Sequence, residues 1–251
     1  MANAKNMSST TLKVLLYGPS GTGKTTLCSS FPNPHFVDAD NGMLSVSGKD
    51  LTYITVSNKE TTDPDFLEIC KLRKKDLTRF PKSEAFTKAT FLIEHWANTL
   101  TEEDTLIVDS LTFMNDWAMS YVCKLAGVPQ PRIQDWGAAQ KMLENIFEQV
   151  NDVKCNLVII AHEQFVKDED SGVISWLPLT IGKLATKIPI YFDEVWRTYT
   201  ERSKSGDSKG EQVYGIETRP TRRTTAKSRL QLPEKVETPT YQKILSLRNS
   251  R

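Results

Sequence analysis

One stretch of this chain narrows its possible folds to a few: YGPSGTGKTTL, Tyr17 to Leu27. Residues Gly18 to Thr25 fit the spacing G-x-x-x-x-G-K-[ST]. An apolar run, LKVLLY (12–17), precedes it and reads as a buried strand, while Lys24–Phe31 reads as a helix stopped by Pro32. A glycine-rich turn from buried strand to helix aims backbone N–H groups at one spot, and that spot suits a chain of phosphates. The expected cradle is Gly18, Pro19, Ser20, Gly21, Thr22, Gly23, Lys24, Thr25 and Thr26. Lys24 would neutralise the β- and γ-phosphates, and Thr25 would offer its hydroxyl to Mg²⁺. The expected cofactors are therefore ATP and Mg²⁺. Such a loop does not say what the triphosphate is used for.

The rest of the chain alternates strand and helix signals. HFVDA (35–39), LTYITV (51–56), TLIVD (105–109) and NLVIIA (156–161) read as strands. The basic run KLRKKDLTRF is helical by pattern, as are residues 83–100, 110–126 and 133–150. Their apolar stripes, Phe113, Trp117 and Tyr121, then Ile133, Trp136, Ala139, Leu143, Ile146, Phe147 and Val150, predict core-facing sides. Two late β-rich runs, FDEVWRTYTE (192–201) and EQVYGIET (211–218), flank a Ser/Gly/Lys turn and predict an antiparallel hairpin. The expected fold is α/β: a mainly parallel sheet flanked by helices, closed by that hairpin. It divides into a lead-in (1–10), a core (11–218) and a basic extension (219–251).

Charge sets that extension apart. The formal net charge is +1, yet residues 219–251 carry nine Lys/Arg against two Asp/Glu, leaving the preceding part acidic. Such an end either meets something anionic or is a solvated tail. No apolar run reaches the roughly 18 residues of a membrane helix, and the start MANAKNMSSTT lacks an apolar signal core. The four cysteines are scattered with no C-x-x-C pair, so a cytoplasmic protein without zinc is expected.

A Mg²⁺ ion beside a triphosphate needs a second acid. TLIVDS supplies Asp109, at the C-terminal end of a strand, where such sheets bind ligands. Guanine-nucleotide switches require an NKxD-type base reader, which the chain lacks. Small-molecule kinases require an Arg-rich lid, and ERSKSGDSKG lies in a hairpin instead. AAA+ motors require a helical lid after the core, where this chain is short and β-rich.

HFVDAD, with the loop, LIVDSLT, the IQDWG helix start (133–137), AHE and FDEVWR, resembles RecA-type recombinases. More narrowly, it resembles the compact RecA-like ATPases of bacteriophages, AAA-type nucleotide-binding proteins that act in single-strand annealing, over roughly residues 11–230. The resemblance implies a RecA-like P-loop core. It assigns the water-activating acid to Asp40, here Asp in place of the family's Glu, with Asp38 as the alternative. It gives His162 the part of a polar γ-phosphate sensor. It implies a DNA-binding loop over 165–188, with Lys167, Lys183 and Lys187 on phosphates and Trp176 stacking a base; alternatively Trp176 is core. Arg222 and Arg223 are expected at DNA phosphates, and Lys227 and Arg229 as cations completing a neighbour's site. The implied activity is slow, DNA-stimulated ATP hydrolysis by a homo-oligomer, ring or filament, that binds and anneals single-stranded DNA in phage recombination. The implied setting is the bacterial host cytoplasm, alongside a single-strand binding protein. A small-molecule kinase and a non-catalytic adaptor switched by ATP are the alternatives.

Overall fold

Each strand of the parallel part of the sheet returns through a helix or crossover, so successive strands keep one direction. In the computed structural model, which describes residues 11–76, 80, 84–169, 172–203 and 210–249, the order is as follows. β1 (Lys13–Gly18), α1 (Lys24–Cys28), β2 (Pro34–Asp38), β3 (Thr52–Thr55), α2 (Pro64–Leu72), α3 (Ala85–Thr99) and β4 (Thr105–Asp109) come first. Then come α4 (Leu111–Leu125), α5 (Ile133–Val150), β5 (Asn156–Lys167), β6 (Ile174–Pro178) and α6 (Leu184–Lys187). β7 (Glu194–Arg202), β8 (Gln212–Glu217), β9 (Lys227–Ser228), β10 (Lys235–Glu237) and α7 (Tyr241–Asn249) finish the chain. The expected lead-in 1–10, the hairpin turn at 204–209 and residues 77–79 of the basic run lie outside the described residues.

The main path of the sheet is β10-β8-β7-β1-β5-β4-β2-β3. From β3 to β7 the pairs are parallel; β7–β8 and β8–β10 are antiparallel, as the hairpin signals predict. The expected α/β class holds. The central strands β1, β2, β4 and the first half of β5 are largely apolar because both their faces are covered. Leu15, Tyr17, Leu106, Val108, Leu157 and Ile159 pack in the core that holds α3, α4 and α5. Their neighbours Val14, Leu16, Ile107, Val158 and Ile160 pack in a second core with Leu27 of α1 and Ile244 of α7.

Four local expectations are corrected. β5 continues past Ala161 and pairs antiparallel with β6, so the described residues of 165–188 are two paired strands followed by a short helix, not an open loop. Cross-strand packing favours this: Phe165 pairs with Trp176, ring centroids 5.9 Å apart. The stripe of α5 begins late. In its first turn the buried residue is Asp135, which accepts from the Arg132 backbone and guanidinium, so Ile133 and Trp136 face outward. The helical basic run stops at Leu72, where Lys74 turns left-handed (φ 52°) and the Lys75 N–H closes on the Cys70 carbonyl. Phe113 is also largely exposed, whereas Trp117 and Tyr121 pack on the first core.

The charged segment from 219 onward is woven into the sheet. β9 pairs with β7, β10 pairs with β8, and Leu232, Val236 and Ile244 are buried with Trp196 and Ile216. Among the described residues no helix is long and apolar enough to cross a membrane. Truncating a buried Ile to Ala costs about 2–5 kcal/mol. Ile244→Ala is therefore expected to lower unfolding stability by about 3 kcal/mol in urea titration. A shift within error would show that α7 is an appendage.

Candidate functional site

The parallel register brings the strand ends level. Gly18 lies opposite His162, and Asp38 opposite Asp109. Since β5 lies between β1 and β4, His162 stands between the glycine loop and Asp109. His162 and Asp109, with residues 20–27 of the glycine loop and α1 and with Asp40, line a cavity of about 670 Å³.

The loop is held from behind by β7. A Cβ on Gly18 would lie 2.2 Å from the Thr198 hydroxyl, so only glycine fits there. Thr22 Oγ1 donates to the Pro19 carbonyl (2.7 Å) and shares a 2.6 Å hydrogen bond with Thr198. Gly21 and Gly23 take left-handed φ of 75° and 80°, which curl the backbone around the cavity. Lys24 is buried, and its Nζ donates to the carbonyls of Gly18 (3.0 Å) and Pro19 (2.7 Å). Burial holds its ammonium below the usual lysine range, with Asp109 and Asp40 opposing.

Thr25 Oγ1 donates to Asp109 Oδ2 at 2.7 Å. Asp109 is 2% exposed, and its carboxyl is pushed up to about 7, first by burial and then by repulsion from Asp40, against the Thr25 hydrogen bond. Asp40 sits with Oδ2 3.8 Å from His162 Nε2, and its Oδ1 is buried without a partner. A buried, unpartnered carboxylate oxygen is costly and needs a cation or a proton donor. The Thr25 hydroxyl and the Asp109 carboxylate make an oxygen pair that fits Mg²⁺ beside a triphosphate, and Asp40 lines the same cavity.

Asp38 does not join them. It is fully buried, accepts from the Gly42 N–H (3.1 Å) and the Thr55 hydroxyl (2.8 Å), and is raised by its burial. Its work is to fix the turn after β2, so the alternative water-activating acid is set aside. His162 is held through its backbone: its N–H donates to Thr112 Oγ1, and its carbonyl accepts from Leu179.

The remaining expected residues divide. Lys167 is exposed on the β5–β6 hairpin. Trp176 is half-buried, with the Arg197 guanidinium 5.8 Å over its ring, and its N–H donates to the Arg223 carbonyl. That contact sets exposed Arg222 and Arg223 beside the hairpin. Lys183 is exposed, whereas Lys187 pairs with Glu144 at 2.9 Å. Lys227 donates to the Pro189 carbonyl (2.9 Å) and Arg229 pairs with Asp193. β9 joins β7 at Glu194 and Val195, beside the start of β1, so both cations lie away from the loop and bind within their own chain.

Sequence reading missed several lining residues: Ser45 and Lys49 after β2, Thr198 on β7, Tyr214 on β8 and Thr238–Thr240 after β10. No local motif marks them, because strand pairing brings them in. It also missed Arg197, whose guanidinium bridges Glu163 (2.9 Å) and Glu217 (3.3 Å) one residue along from His162.

A family model described as an AAA domain matches residues 10–230. No curated protein matches the chain. Among solved structures, a prototypical ATPase from the type III secretion system of pathogenic bacteria aligns at 15% identity with a TM-score of 0.41. The alignment covers 74% of this chain and 51% of that one, so the chain spans about half the length of that ATPase.

The raised Asp109 carboxyl has a consequence for stability. The folded state holds a proton that the unfolded chain has already lost between the ordinary value of 3.8 and about 7. Without nucleotide or metal, stability from this group is fullest at low pH and declines as pH rises through that window. Asp109→Asn is expected to flatten the decline in pH-dependent urea titrations. An unchanged slope would show that Asp109 is not the group responsible.

Proposed function

The chain belongs to the AAA-domain family, and on that premise we propose that it is an ATPase coupling nucleotide binding to a grip on single-stranded DNA. One observation carries the reading. β5 runs unbroken from His162, at the cavity, into the hairpin that bears Lys167 and meets Trp176. A strand with one end at the phosphates and the other in an aromatic hairpin, where Lys167 stands beside Asp168 and Glu169 and the cations Arg222 and Arg223 lie alongside, can transmit nucleotide state as a shift in population.

In this reading the triphosphate lies on the N–H groups of Gly21–Thr25. Lys24 leaves the carbonyls of Gly18 and Pro19 for the β- and γ-phosphates. Thr25 and Asp109 would hold Mg²⁺, which would supply charge neutralisation for the transferring phosphoryl group. Asp40 accepts the proton of the attacking water, and His162, 3.8 Å from it, orients that water or the γ-phosphate. The short Asp40 arm favours slow turnover. Arg222, Arg223, Lys167 and Lys183 follow the DNA backbone, and Trp176 supplies an aromatic edge. Annealing or recombination in a homo-oligomer, ring or filament, is the process this would serve in a phage-infected cell.

Lys24→Ala is expected to abolish tight ATP binding. Asp40→Asn is expected to keep ATP binding and cut steady-state hydrolysis by roughly a hundredfold, the scale of a lost general base; wild-type turnover in that variant would reject Asp40. If the wild type binds ATP but never turns it over, the chain is a nucleotide-switched adaptor.

Replacing Arg222 and Arg223 with Ala is expected to weaken oligonucleotide binding and reduce the salt slope by about two. An unchanged slope would mean that these arginines do not touch phosphate.

A further inference from the structure

The cavity above the glycine loop has two chemically different ends. Toward β4 and β5 it is lined by Asp40, Asp109 and His162. Toward β8 and β10 it is lined by Tyr214 and Thr238–Thr240, with no carboxylate among the described residues. A triphosphate seated on the loop must send its γ-phosphate to the first end, where the metal-binding oxygens are. Its nucleoside then points to the second.

That second end is a constructed wall. The Tyr214 ring lies against the loop: a Cβ on Gly23 would come within 3.3 Å of Tyr214 Cδ1. Tyr214 is 43% exposed and lines the cavity. The Thr238 N–H donates to the Tyr214 carbonyl (2.7 Å), and Thr238 turns the chain with a left-handed φ of 44°. After Pro239 and Thr240, the Tyr241 N–H donates to Ser30 Oγ (2.9 Å), and its ring packs on Phe31 with centroids 4.8 Å apart. Ile244 of α7 is fully buried beneath. The wall is therefore tied to β8 at one end and to the segment after α1 at the other. Residues 231–249 lie beyond the family match, so the match itself assigns Thr238–Thr240 no part in the site.

We propose that Tyr214 and Thr238–Thr240 form the nucleobase subsite, with the Tyr214 ring stacking on the base, Pro239 giving an apolar second contact, and α7 holding the wall in place. This rests on reading Gly21–Thr25 as a triphosphate cradle. The ligand class is a nucleoside triphosphate; inorganic triphosphate would use the cradle alone.

The test is calorimetric titration of the full chain, in Mg²⁺, with ATP and separately with inorganic tripolyphosphate. Tyr214→Ala is expected to weaken ATP binding roughly tenfold, the scale of a lost base–aromatic stack, and to leave tripolyphosphate unchanged. Pro239→Asp should cause a several-fold loss for ATP alone, and Tyr214→Phe should bind like the wild type. The subsite is overturned if ATP affinity is unchanged in both Tyr214→Ala and Pro239→Asp, if the losses are equal for the two ligands, or if Tyr214→Phe loses as much as Tyr214→Ala. Wild-type protein that binds neither ligand would overturn the cradle reading itself, and the subsite with it.

Discussion

The parallel ladder β1–β5–β4 is the constraint on which the site depends. Its register levels Gly18 with His162 and brings Asp109 to the same edge. A slip of one residue would turn every inward side chain to the other face. The two apolar cores forbid that slip, because Leu15, Leu157 and Leu106 belong to one core while Leu16, Val158 and Ile107 belong to the other. Stability and site geometry are thus fixed by the same contacts.

The site itself is electrostatically unfinished. Asp109 is raised by burial and by Asp40, Asp40 leaves one oxygen without a partner, and Lys24 is depressed by its own burial. Each strain would be eased by the same event, arrival of a polyanion with a divalent cation. Lys24 would gain phosphate oxygens, Asp109 would gain a metal, and Asp40 would gain the attacking water as its proton donor. The protein keeps these groups poised by anchoring the loop to Thr198 rather than by pairing the charges with one another.

Much of the α/β core was legible in the sequence because a doubly covered strand is a continuous apolar run and a glycine loop has a fixed spacing. TLIVD and residues 133–150 match their elements to the residue. The errors have physical causes. A hairpin beyond the sheet edge carries only weak alternation, so β6 was hidden. Asp135 took the inward position of the first α5 turn by capping, which no apolar count anticipates. The charged end read as an extension separate from the core because its few core residues, Leu232, Val236 and Ile244, are spaced among polar ones. Tyr214 and Thr238–Thr240 reach the cavity only through β8–β10 pairing, and such long-range juxtaposition leaves no local signal.

The central claim is that nucleotide chemistry at the cavity is coupled to DNA on the hairpin within an assembly of copies. ATP turnover measured with and without single-stranded DNA across protein concentration tests it most directly. The account predicts a DNA-stimulated rate that rises faster than linearly with protein. A rate blind to DNA and linear in protein would contradict it, and would leave a monomeric nucleotide enzyme.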